Sequence, residues 1–155
     1  RQIAMYHAHT VLKNPIRPDG SVYHIMEYDV ETGEYVKEIG GQGFGEHSSW
    51  SRGQAWGLYG FTLAYMNTKD ERYLQTAERI AKYFIAHIRE DGLTDSDFCQ
   101  PEGEERIDNI AGACAACGLL ELAHLTQGEE SDTYRASAMK LLKALQVKMT
   151  RYFSV

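Results

Sequence analysis

Gly57-Leu58-Tyr59-Gly60-Phe61 and Gly118-Leu119-Leu120-Glu121-Leu122 stand 61 residues apart, and the register continues downstream of both. Tyr73 falls opposite Tyr134, Ala77 opposite Ala138, Ile80 opposite Leu141 and Phe84 opposite Leu145. Each copy reads as one apolar helix, a short polar turn and an amphipathic helix. Such pairs in succession are the pattern of a double-ring α/α toroid, in which inner helices form the core and outer helices shield them. The expected class is therefore all-α, with about two and a half helix pairs. Six pairs at this repeat length would need roughly 360 residues. The remainder of the polypeptide, or a second copy, is expected to cover the open side.

Within the first copy, Ser51 to Tyr65 is apolar nearly all round and is expected to be buried on most sides. Thr68-Lys69-Asp70-Glu71 reads as a capping box with Thr68 as N-cap. Leu74, Ala77, Ile80, Ala81, Phe84, Ile85 and Ile88 then recur at spacings of three and four, with Asp91-Gly92 as the stop. Asp108 is a reasonable N-cap for the first helix of the second copy. Upstream, Arg1 to His7 already reads as helix, which suggests preceding residues. Arg17-Pro18-Asp19-Gly20 is a turn. Ser21 to Asp29 alternates like a strand, Asp29 to Gly33 turns back, and Glu34 to Ile39 is the return strand of one short hairpin. Gly40-Gly41-Gln42-Gly43-Phe44-Gly45 is a glycine-rich loop without the context of a dinucleotide fingerprint.

The bulk numbers exclude several classes. Hydrophobic residues at 43% and charged residues at 25% describe a folded chain, not a disordered one. A net charge of −6 argues against nucleic acid as a partner. No apolar run reaches the roughly 20 residues that span a bilayer. Three cysteines make no disulfide framework; Cys114 and Cys117 read as small thiols buried in an apolar helix, and no metal site or cofactor is expected.

His24, Gln42, Arg52 and Trp56 stand out in the hairpin, loop and first buried helix. Arg52 and Trp56 lie four apart on one helix face. An arginine there needs a carboxylate of the protein or of a ligand, because an unpaired buried charge is costly. Trp56 could stack on a sugar ring, while His24 and Gln42 could bond hydroxyls. The same residues also fit a plain reading as a salt-bridged Arg, a core Trp and a hairpin His.

The segments His7-Ala8-His9-Thr10, Arg17 to His24, Gln42-Gly43, Trp50-Ser51-Arg52-Gly53-Gln54-Ala55-Trp56-Gly57-Leu58-Tyr59-Gly60-Phe61 and Cys117 to Leu122 resemble the unsaturated glucuronyl hydrolases, glycoside hydrolase family 88. The resemblance implies that residues 1–155 are part of an (α/α)6 barrel catalytic domain, a six-hairpin toroid, from a bacterial cytoplasm or periplasm. It implies action on Δ4,5-unsaturated glucuronyl residues of lyase-generated oligosaccharides by hydration of the vinyl ether double bond. By that resemblance His24, Gln42, Arg52 and Trp56 recognise the sugar, with His24 also orienting water. The family's catalytic aspartates precede the segment matching His24, so none is expected in this chain and the isolated chain is expected to be inactive. Ser96 and Cys99 replace the outer members of a family Trp-Asp-Phe-Asp string, which bears on the leaving sugar. Two alternatives are an unsaturated rhamnogalacturonyl hydrolase with a pectin-derived substrate and a non-catalytic helical-repeat scaffold.

Overall fold

The computed structural model describes residues 2–13, 16–104 and 106–153, so Arg1 lies outside the described residues. Helix α1 (Gln2–Lys13) leads into the hairpin of β1 (Ile25–Tyr28) and β2 (Tyr35–Ile39). Four helices follow: α2 (Ser51–Thr68), α3 (Glu71–Ala86), α4 (Asn109–Leu125) and α5 (Gly128–Phe153). The two copies of the repeat are thus α2–α3 and α4–α5, and the chain is a segment of an α/α toroid.

The repeat exists because matched positions bury matched side chains. Leu58, Phe61, Tyr73, Ala77, Ile80 and Phe84 lie in one core with Leu119, Leu122, Tyr134, Ala138 and Leu141, while Leu145, opposite Phe84, is half-buried. Gly118 is what lets α4 approach α2. A Cβ at Gly118 would stand 3.0 Å from the Leu58 side chain and 3.2 Å from the Tyr59 backbone.

Several local expectations are corrected. The N-cap of α3 is Asp70, which accepts from the Arg72 N–H, whereas Thr68 is the last residue of α2. Lys69 takes a left-handed conformation, φ 60°, and its N–H closes on the Tyr65 carbonyl, so α2 runs one turn longer than the capping box implies. Helix α3 ends at Ala86, before Asp91-Gly92, because the His87 ring bonds the Tyr83 carbonyl at 2.7 Å and the chain turns there. Trp56, Leu63 and Met66 are exposed on α2, which therefore keeps one open face instead of being buried on most sides. Cys114 is half-buried and Cys117 is exposed, so the two are not a buried pair.

The hairpin is antiparallel, with Ile25 opposite Ile39 and Tyr28 opposite Tyr35. Its first strand is shorter than the alternation suggests, because residues before Ile25 bond elsewhere. Ser21 bonds Asp19, and the Val22 N–H donates to Gln54 Oε1 at 2.8 Å. Gln54 is fully buried in α2, and its Nε2 donates to the Gly20 carbonyl at 2.7 Å. One buried amide thus pins the approach of the hairpin onto the N-terminal half of α2.

Candidate functional site

A cleft of about 780 Å³ opens between α1, the hairpin and α2. His7, Tyr23, Met26, Tyr28, Trp50 and Phe61 line it, together with His24 and Trp56. The wall is mainly apolar and aromatic with a few polar groups, the usual make-up of a site for a small ring-shaped ligand. Trp56 is 54% exposed, so it is a face open to a ligand and not a core tryptophan.

Trp50, the residue just before α2, is the hub. Its ring is 5% exposed and packs edge-on against Trp56 with centroids 5.3 Å apart. The His24 imidazole sits 4.3 Å from it, and the Arg52 guanidinium carbon 5.7 Å. Gly53 keeps this packing open, since a Cβ there would lie 3.1 Å from the Trp50 ring.

The predicted residues meet around this hub by different routes. His24 and Trp56 line the cleft directly. Gln42 contributes its backbone: its N–H donates to His24 Nδ1 at 3.0 Å, while the residue itself is exposed. Arg52 adjoins the cleft through Trp50, and its Nε and Nη2 both lie 2.8 Å from Asp108 Oδ2. Of the two partners that sequence allows for Arg52, the structure supplies the carboxylate. Burial pushes the His24 imidazole below the ordinary histidine range, which favours the neutral ring.

Three residues carry the architecture without having been singled out beforehand as site residues: Trp50, Gln54 and Asp97. Trp50 lay in the motif, six residues before Trp56, and an aromatic at the residue preceding an inner helix was a usable signal. Asp97 is 2% exposed and receives hydrogen bonds from the glycine-rich loop; nothing local in sequence announces that. Among the described residues no group of three or more His, Cys, Asp and Glu side chains is disposed to hold a metal ion. No described helix is long and apolar enough to cross a membrane.

Residues 17–100 match the family model for the D-glucuronyl C5-epimerase C-terminus. The chain is 36% identical over 149 residues to an unsaturated chondroitin disaccharide hydrolase of Streptococcus agalactiae, covering 94% of this chain and 37% of that protein. It is 40% identical over 136 residues to an unsaturated glucuronyl hydrolase of Bacillus sp. strain GL1, covering 87% and 36%. The crystal structure of unsaturated glucuronyl hydrolase from Bacillus sp. GL1 superposes with a TM-score of 0.88 at 36% identity, over 92% of this chain and 39% of that one. A Streptococcus agalactiae enzyme variant complexed with dGlcA-GalNAc6S gives 0.79 at 33%, over 93% and 39%.

The fold is thus that of the α/α-toroid proteins. The chain belongs to the family that the D-glucuronyl C5-epimerase C-terminus model describes, and the relatives and solved structures it resembles are unsaturated glucuronyl hydrolases. It spans a little over a third of the length of the curated relatives it matches.

Proposed function

We propose that this chain forms the uronate-recognition wall of a hydrolase that removes Δ4,5-unsaturated glucuronyl residues from lyase-generated oligosaccharides. The observation that carries this reading is the aromatic cleft around Trp50, which brings Trp56, His24 and Arg52 to one place. Trp56 offers a ring face to the sugar. His24 offers a hydrogen bond to a hydroxyl or to water. Arg52, whose Nε and Nη2 are held by Asp108, offers its remaining guanidinium N–H groups to a carboxylate, and Gln42 shapes the rim.

In the reaction an acid protonates C4 and water adds its oxygen to C5. The C5 hemiketal then loses its ring C–O bond to become a ketone, and the hemiacetal left at C1 expels the sugar as an alcohol. Asp97 and Asp108 are not suited to supply that proton. Asp97 accepts four hydrogen bonds, and Asp108 holds Arg52 and caps α4. The resemblance puts the proton donor upstream of the segment that contains His24, outside this chain.

The test follows the absorbance of the C4–C5 double bond when the full-length gene product meets an unsaturated chondroitin disaccharide. Loss of absorbance with release of the free amino sugar is expected; a stable signal across the pH range would refute the reading. A second reading, inversion at C5 of a saturated glucuronyl residue, is favoured by the match to residues 17–100. It would place deuterium at C5 in heavy water and leave the unsaturated substrate intact.

A further inference from the structure

We propose that Asp97 is a positioning residue: it holds the glycine-rich loop so that the Gln42 amide fixes His24 in the Nε2–H tautomer, as a hydrogen-bond donor in the cleft. The proposal rests on His24 being a recognition residue, as argued above. Asp97 Oδ2 accepts from the Phe44 N–H at 2.8 Å and from the Ser48 hydroxyl at 2.7 Å. Its Oδ1 accepts from the Ser49 N–H at 3.2 Å and the Cys99 N–H at 2.8 Å. One buried carboxylate therefore gathers Phe44 of the loop and Ser48 and Ser49 just after it, from about fifty positions further along the chain. The loop makes way for it: a Cβ at Gly43 would lie 2.5 Å from Asp97 Oδ2.

The same loop delivers Gln42 to His24. Two residues before Phe44, the Gln42 N–H meets His24 Nδ1 at 3.0 Å. Gly41 permits that approach, since a Cβ there would fall 2.0 Å from Nδ1. A ring nitrogen that accepts from an amide carries no proton, so the single proton of the neutral ring resides on Nε2. Trp50 closes the circuit. It bridges to Asp97 through the backbone and packs at a tilt against the imidazole, so both ends of the linkage share one support.

The substitution Asp97→Asn is chosen because its amide oxygen can keep the Ser49 and Cys99 bonds while an NH2 group turned to the loop repels the Phe44 N–H. In the full-length gene product, kcat/KM is expected to fall by about tenfold or more. In a His24→Gln background the same substitution should add little, because the effect runs through His24. Nitrogen-15 NMR of histidine-labelled protein, with His24 assigned by its loss in His24→Gln, should show a single Nε2–H tautomer that becomes mixed in Asp97→Asn. Additive losses, or an unchanged His24 spectrum in Asp97→Asn, would overturn the proposal. Where Asp97→Asn does not fold, Ser48→Ala removes one loop bond to Oδ2 and is read in the same way. If His24→Gln leaves turnover unchanged, the recognition reading falls instead, and the NMR arm alone decides whether Asp97 sets the tautomer.

Discussion

Arg52 and Asp108 join the N-terminal ends of the two inner helices: Nε and Nη2 both reach Oδ2 at 2.8 Å, while Oδ1 accepts the Ile110 and Ala111 N–H groups at 3.0 Å. One carboxylate therefore caps α4 and holds the arginine beside the cleft. Asp108 is 6% exposed, which keeps the pair largely out of water.

The two jobs of Asp108 separate by substitution. Asparagine remains a good N-cap, so Asp108→Asn should lose mainly the charge contact, about 1 kcal/mol. Asp108→Ala should lose the cap as well and cost about 2 kcal/mol or more. Thermal or urea unfolding of both variants checks the order; equal losses would mean that the cap contributes nothing.

Arg52→Ala in the full-length gene product should lower kcat/KM with unsaturated chondroitin disaccharide by a factor of tens, from loss of a charged contact of roughly 1.5–3 kcal/mol. Trp56→Ala should raise KM with little change in unfolding temperature, because the ring is half-exposed. Steady-state kinetics beside a melting curve distinguishes the two outcomes from general unfolding.

The pH dependence follows from His24. Its folded pKa lies below the ordinary 6.5 because burial disfavours the charged ring. Between the two values the unfolded chain binds more protons, so stability is full above 6.5 and declines as pH falls toward the folded value. Protonating Nδ1 would also set an N–H against the Gln42 N–H. Unfolding measured from pH 7 down to pH 5 should show this decline, and His24→Gln should flatten it.

Tyr73 and Tyr134 occupy matched positions in the repeat, and both hydroxyls are buried without a hydrogen-bond partner among the described residues. Tyr73→Phe and Tyr134→Phe should therefore be neutral or stabilise by up to about 1 kcal/mol. Gly118→Ala should act the other way, costing about 1–3 kcal/mol by forcing α4 off α2. Melting temperatures of the three variants decide both points.

The isolated 155-residue chain should not turn over the unsaturated disaccharide. Lack of a placed proton donor alone costs about 10²–10⁴ in rate. An absorbance assay giving turnover near that of the full-length product would relocate the acid to this chain, with the exposed Glu46 as the candidate.

The repeat was legible because it depends on apolar spacing within each helix, and spacing is a local property. The hairpin was legible for the same reason, but its first strand was overlong because Gln54, distant in sequence, draws Val22 and Gly20 to α2. The capping box misled because Thr68 and Asp70 are both competent caps, and the left-handed turn at Lys69 decided between them. The resemblance assigns His24 and Trp56 to sugar recognition, and both line the cleft. That Gln42 would act through its backbone was not legible, since any residue carries that N–H. The partner of Arg52 was left open between protein and ligand, because a contact across 56 residues has no signature in either segment.

That separation has a consequence for the order in which the protein is made. His24, Gln42, Arg52 and Trp56 leave the ribosome within one short stretch, whereas Asp108 emerges 56 residues after Arg52. At about 5–20 residues per second the guanidinium waits roughly 3–11 s for its neutralising partner. Until α4 is made and docks, Arg52 has no Asp108 carboxylate to pair with, and that docking is the step that neutralises it.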